Sequence, residues 1–406
     1  MHYRKVNPQH LTLAHYLLIV THIHNCCLEL PIATYALCGF SSWMILAVIV
    51  GPTVSVNDGS WGLGGIYEID LNGTFTNLYS FTGSDAYAPR AGLFQGADGT
   101  LYGTTLSDTL YNGGAIFRLT TNQLSFLHFF DGTNGSNVEE PLIQARDGNL
   151  FGVALSCLGT NDEGHGCIFR ITKEGIFTNL FMFDGMVGHT PLGPLIQATD
   201  GNLYGVTVMG GLSFGTPYGT IFRISTNGAF THVASFYGTN GARPNGGLVQ
   251  GPDGNFYGTT QQGGAYTNQY AQGAGTIFRV AANGDITTLF SFDGTNGLLP
   301  VAGLTLGADG KFYGTTQLGG VSNKGNIFRL TVDMPPLFRS IAKSNTSINL
   351  AWSAISARTY QLQYCNLAPN TWSNSGPPIT ATNGIVVLSD SVSETSARLY
   401  PVMMLP

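Results

Sequence analysis

The segments GPDGNFYGTT at 251–260, GTIFRV at 275–280 and TTLFSFDGTNG at 287–297 decide the fold. Asp253-Gly254 is a strong hairpin signal, flanked by the apolar run Gly247–Gln250 and by the returning run Asn255–Thr260. A Gly-rich loop follows, then Thr276–Val280, an Asn283-Gly284 turn and a last run over Ile286–Phe292. Four short strands with turn residues at each corner predict an antiparallel meander. Ile277, Phe278 and Val280 place apolar groups on both faces of the third strand, so the sheet is expected to be covered on both sides.

Outward from this unit the same landmarks recur. The apolar-aromatic-Arg strand appears as GGIYEI at 64–69, GAIFRL at 114–119, GCIFRI at 166–171, GTIFRI at 219–224 and GNIFRL at 325–330. The Asp-Gly turn returns at Asp98, Asp147, Asp200, Asp253 and Asp309, and the strand arginines are Arg118, Arg170, Arg223, Arg279 and Arg329. A unit of about fifty residues that cannot bury its faces alone must stack on its neighbours. The expected fold is all-β: a β-propeller of about six four-stranded blades, with five or seven as alternatives and the first unit truncated or worn. A parallel β-solenoid is the rival architecture, but its rungs are usually much shorter.

Composition agrees. With 55 Gly in 406 residues and 10% charged residues, the chain suits neither long helices nor charge-driven disorder. Seventeen Lys and Arg spread over the length form no basic stripe, so nucleic acid is not an expected partner.

At these residues, from about Gly64 to Thr331, the chain resembles the GloVer tandem-repeat family of exported bacterial proteins, on the ordered recurrence of DGNFYGTT, GTIFR and SFDGTNG. The resemblance implies secretion or surface display and implies no enzymatic activity. Glu68 in the Arg place of the first copy and Val153-Ala154 in the Thr pair of a later one depart from the pattern.

The ends differ from the middle. Residues 1–47 resemble an export or anchor segment, with Arg4 and Lys5 ahead of a run from Ile32 to Val56 that lacks charge; a mis-assigned start is the alternative. Membrane contact is expected only through this segment. Val50-Gly51-Pro52-Thr53 lies at repeat spacing before Ile66, so the end of the run also reads as a repeat strand. The His22–Cys27 cluster lacks zinc-site spacing. The repeats are expected over 48–333. Residues 337–406 alternate with period two and look like a fibronectin type III-like module on LAWSA, RTYQLQY, TWSNSG and RLYPV, with Pro401 putting the pairing of its last strand in question.

The repeated Asp and Arg sets allow two roles: a ring of ligand- or calcium-binding groups, or turn caps and bonds between blades. Structural roles are favoured, because catalytic residues are placed once, not in every repeat. No cofactor is expected, and DGTNG at 131–135 and 293–297 lacks calcium-loop spacing. GLSFG at 211–215 matches a serine-hydrolase pattern but has no helix after it. Cys157 and Cys167 flank one loop and allow either a disulfide or two buried thiols. Loop aromatics Trp61, Tyr111, Tyr218, Tyr266 and Tyr270 are candidate platforms for stacking on sugar rings. The expected function is non-enzymatic binding or adhesion to an extracellular ligand of carbohydrate class. An extracellular propeller enzyme acting on carbohydrate or a lactone is the alternative, and it would need His128, His165, His189 or His232 to converge with acids.

Overall fold

The computed structural model describes residues 34–37, 47–51, 63–69, 74–96, 98–120, 123–158, 164–211, 218–266, 272–307, 309–332, 338–343, 347–354, 358–366, 371–382, 385–391, 398–400 and 402–404. No helix occurs among them, and none is long and apolar enough to cross a membrane. The chain divides into two compact units. One holds Met1–Val249, Phe256–Leu304 and Gly314–Ile327; the other holds Gln250–Asn255, Thr305–Tyr313 and Phe328–Pro406.

Antiparallel sheets succeed one another along the chain at the spacing of the repeats. The third consists of Ile143–Gln144, Leu150–Ala154, Cys167–Ile171 and Phe177–Met182, paired in that order. The fifth, over the segment that opened the sequence reading, consists of Val249–Gln250, Phe256–Thr260, Thr276–Val280 and Ile286–Ser291. Its second and third strands are buried on both faces, as the apolar pattern requires. The sixth sheet has three strands, Thr305–Leu306, Phe312–Thr316 and Asn326–Leu330.

The first sheet reaches further back than residue 48. Thr34–Leu37 pairs with Ala47–Gly51, which pairs with Gly65–Ile69 in the register Val50 to Ile66. The first unit is therefore not truncated: it has four strands, two of them drawn from the uncharged run. Hydropathy alone does not separate these cases, because a β-branched apolar stretch suits an interior strand as well as a bilayer span.

One packing device accounts for three of the sequence landmarks. The Phe that ends each outer strand meets the Phe of the IFR strand in the next sheet: Phe81 with Phe117, Phe130 with Phe169, Phe183 with Phe222 and Phe236 with Phe278. Ring centroids lie 5.0 Å apart for Phe236 and Phe278 and 5.7 Å for Phe81 and Phe117, at tilted to edge-on angles that suit the ring quadrupoles. Below the IFR ring of the second to fifth sheets sits the Gly of the Tyr/Phe-Gly strand. A Cβ on Gly258 would lie 2.6 Å from Phe278 Cζ, and one on Gly205 2.4 Å from Phe222 Cζ. Gly103 and Gly152 face Phe117 and Phe169 in the same way.

A second device repeats in geometry but not in residue type. Ala88, Asn137, Thr190, Arg243 and Leu299 all adopt positive φ, between 55° and 56°. Each backbone N–H donates to the residue just before the Gly that opens the previous sheet's IFR strand: Leu63, Gly113, His165, Tyr218 and Ala274. A proline follows in four of the five, and those of Thr190, Arg243 and Leu299 press Pro191, Pro244 and Pro300 against Gly166, Gly219 and Gly275.

In the C-terminal part, Phe338–Lys343, Ser347–Ser353 and Ile385–Ser391 form one sheet, and Thr359–Asn366 centres another. Leu350, Trp352, Tyr360, Leu362, Ala381 and Val386 share one buried cluster. Arg398–Leu399 and Val402–Met404, on either side of residue 401, both pair with Thr359–Asn366, so the last strand is held in the sheet.

Candidate functional site

Each sheet has a tight-turn end and a long-loop end. At the turn end the repeated aspartates are consumed by their own hairpins. Oδ1 of Asp98, Asp147, Asp200, Asp253 and Asp309 accepts the backbone N–H two residues on, at 3.0–3.2 Å. Gln95, Gln144, Gln197 and Gln250 brace the same turns by donating to the carbonyls of Gly99, Gly148, Gly201 and Gly254. Lys173 pairs with Asp98 at 2.8 Å, and its hydrogen bond is the main cause holding that carboxyl below the usual range. One oxygen of each of these carboxylates thus faces its own backbone.

The arginines divide. Arg118 donates to Ser125 Oγ and to the Lys173 carbonyl of the next sheet. Arg223 and Arg279 donate to Thr231 and Thr287 on the adjacent strand of their own sheet. The buried Nε of Arg170 has no acceptor, and Arg329 is exposed.

The loop end is different. Tyr111, Leu110, Leu158, Met186, Tyr237, Tyr266 and Val321 all lie in second-to-third-strand loops or in the connections between sheets, and all are exposed. Tyr111 and Tyr266 stand where the sequence pointed, at 61% and 51% exposure. Tyr218 does not: it is half-buried against the fourth and fifth sheets, its ring over Gly238, because its carbonyl anchors Arg243. Trp61, Tyr270 and most of GLSFG fall outside the described residues. Tyr237 is a residue that sequence reasoning missed, and its place just after a sheet-locking Phe was the available signal. Asp131 and Asp293 in the two DGTNG segments accept from Thr133 and Asn134 and from Thr295 and Asn296, as turn residues do. Asp108, buried, collects the N–H groups of Leu110, Tyr111, Gly113 and Gly114 and so fixes the loop that presents Tyr111.

Singular chemistry gathers in and beside the third sheet. His165 and His189 meet edge-on at 4.6 Å, and burial followed by the charge of His165 lowers the His189 pKa. His128 instead stacks on Phe177 at 3.9 Å, and His232 reaches Ser235 Oγ at 2.9 Å, so the four histidines do not converge. Cys157 and Cys167 are free buried thiols that donate to the consecutive carbonyls of Thr133 and Asn134. Among the described residues no three His, Cys, Asp or Glu gather to hold a metal.

Glu140 is the other residue that sequence reasoning passed over. It lies three residues after the positive-φ Asn137, where the other connections carry Ala91, Gly193, Gly246 and Ala302. Backbones approach closely there: a Cβ on Gly193 would lie 2.5 Å from Gly247 N, and one on Gly246 2.2 Å from Gly303 N. Of these five connections only this one carries a carboxyl at that position. The Gly193 N–H donates to it, yet burial dominates and neighbouring Glu139 adds, so its pKa is raised to about 7. Glu139 itself faces Arg90 at 3.5 Å.

The family model of the Gloeobacter/Verrucomicrobia repeat matches residues 52–270 and 214–345. The chain belongs to that family. In this Gloeobacter/Verrucomicrobia repeat protein the matched residues take in the sheet-locking phenylalanines, the Asp-Gly turns and Glu140. No curated protein matches it in sequence. Among solved structures it is similar to a gluconolactonase from Xanthomonas campestris, at 15% identity over 71% of this chain and 83% of that one, with a TM-score of 0.42. It is also similar to a putative 6-phosphogluconolactonase from Bacteroides uniformis, at 14% identity over 84% and 99%, TM-score 0.44. A third likeness is to an alpha-L-arabinanase from Penicillium chrysogenum, at 14% over 71% and 90%, TM-score 0.42. Likenesses at this level carry no argument about reaction or ligand.

Proposed function

We propose that the protein is an exported, propeller-type binding protein that takes carbohydrate on the loop ends of its sheets, with the C-terminal sheets as a small sandwich-like spacer or docking module. The observation that carries this is the segregation of exposed tyrosines. Tyr111, Tyr237 and Tyr266 stand at the loop ends, while the opposite ends are closed by Asp, Gln and Lys contacts. A rigid aromatic with a polar tip covers a sugar face at small entropic cost and still hydrogen-bonds its hydroxyls. The number of repeats, with four strands to each complete sheet, supports a ring of six blades.

The test is a glycan array probed with the wild-type chain and with Tyr111→Ala, Tyr237→Ala and Tyr266→Ala together. Binding by the wild type with a loss of tenfold or more in the triple variant is expected. No bound glycan, or equal binding by both proteins, would remove the proposal.

A second function is favoured by Glu140. A carboxyl that titrates near neutrality can hold or release a proton at working pH, as a general acid or base must. Hydrolysis of a panel of glycosides and lactones, followed against pH, is expected to show activity that Glu140→Gln abolishes if the site is catalytic. Equal activity in wild type and variant would remove Glu140 from the reaction, and no activity in the wild type would leave binding alone.

A further inference from the structure

The thiol pair stands apart from the binding face in its chemistry. Cys157 occupies the place, three residues past the second strand's Thr position, where other sheets carry the positive-φ glycines Gly210, Gly263 and Gly319. Cys167 opens the third strand where the fourth and fifth sheets carry Thr220 and Thr276, each hydrogen-bonded at 2.7 Å to a second Thr. The third sheet has replaced that hydroxyl pair: Ala154 stands across from Cys167, and Cys157 brings in the second sulfur. The sulfurs reach consecutive carbonyls of one segment, Cys157 Sγ donating to Thr133 O at 3.3 Å and Cys167 Sγ to Asn134 O at 3.7 Å, which brings the two thiols to the same peptide. Asn179 Nδ2 donates to Cys157 Sγ at 3.7 Å, a contact that stabilises negative charge on that sulfur and not on its partner.

We propose that Cys157 and Cys167 form a thiol–disulfide exchange site for small-molecule disulfides, with Cys157 as the attacking thiol and Cys167 as the resolving one. Cys157, as thiolate, forms a bond to one sulfur of R–S–S–R; the S–S bond of that molecule breaks and RS⁻ leaves, taking up the proton that Cys157 gave. Cys167 then loses its proton and attacks Cys157 Sγ, expelling the second RS⁻, which is protonated in turn. Two protein thiols are oxidised to one disulfide, and one small disulfide is reduced to two thiols. The order follows from the surroundings. Cys157 is the more accessible at 3%, against 0% for Cys167, and it receives the hydrogen bond from Asn179. Its pKa is lowered, first by its interaction with Cys167, while that of Cys167 is raised, first by the same neighbour. Closure would tie the ends of the connection that carries Leu158 and His165.

The reduced full-length protein is incubated with oxidised glutathione, quenched in acid, unfolded, alkylated and mapped by peptide mass. The expected product is a Cys157–Cys167 crosslink with the loss of two hydrogens, and a thermal midpoint higher by about 5 °C, because about ten residues are closed in a loop. Cys167→Thr, which restores the residue of the neighbouring sheets, is expected to stop at a stable glutathione adduct on Cys157. Cys157→Ser is expected to leave Cys167 unmodified. The proposal is overturned if both cysteines of the wild type remain alkylatable. It is equally overturned if Cys167 takes the adduct first in Cys157→Ser at the rate seen for Cys157 in Cys167→Thr.

Discussion

Gly258 has no room for a side chain, and the reason lies in a ring twenty residues away. Its missing Cβ is the space that Phe278 fills, and Phe278 in turn meets Phe236 of the previous sheet. Gly258→Ala is therefore expected to destabilise the protein by about 1–3 kcal/mol, the cost of overpacking a rigid core, read as a lower urea midpoint at unchanged slope. Thr190 is the reverse case. A β-branched residue at φ 55° is strained, so Thr190→Gly is expected to raise stability by about 0.5–1 kcal/mol, read as a higher urea midpoint, in spite of the added chain entropy. An unchanged or lower midpoint would mean that contacts of the Thr190 side chain outweigh the strain. These two positions also mark the limit of what the residues disclose. Gly258 recurs as a letter and was visible at once. The positive-φ site is filled by Ala, Asn, Thr, Arg and Leu, so its recurrence exists only in the backbone.

At the scale of the hairpin, the Asp-Gly turn works as a unit of Asp, Gln and backbone. Asp200→Ala removes the acceptor for the Asn202 N–H and for Tyr204 Oη, and is expected to cost about 0.5–1.5 kcal/mol without altering ligand binding. A lost ligand affinity at equal stability would restore a binding role to the set. Strand positions were legible in the sequence because period and turn chemistry agree there: Thr276–Val280 stands as expected, and Ile286–Ser291 falls within one residue of it. The first sheet's first two strands were less legible, since the same apolar residues satisfy a membrane span. Of the candidate site, exposed Tyr111 and Tyr266 were legible from loop composition. Glu140 was not, because its significance is the burial that raises its pKa, which only the fold supplies.

For the whole molecule, two opposed titrations shape stability. Burial lowers the pKa of His128, His189 and His232, so the unfolded chain binds their protons first, and stability falls as pH drops below about 6.5. Glu140 runs the other way. Its folded pKa of about 7 lies above the unfolded value of 4.5, so its contribution is fully present below pH 4.5 and is lost as pH rises to about 7. Glu140→Gln is expected to leave stability nearly unchanged near pH 4.5 and to raise it by about 1–3 kcal/mol above pH 7, measured by urea melts across that range. A pH-independent difference between the two proteins would show that the carboxyl is ionised throughout. The phenylalanine contact between successive sheets carries one last consequence, for how such chains grow. Each sheet offers one ring forward and receives one from behind, so the joint is polar, like the links of a chain with a hook at one end and an eye at the other. Duplication of any segment one full period long, wherever its ends fall, regenerates every hook with its eye. An insertion of half a period leaves an orphan of each. Length in this family is then free to vary only in whole steps, and the place of the cut does not matter.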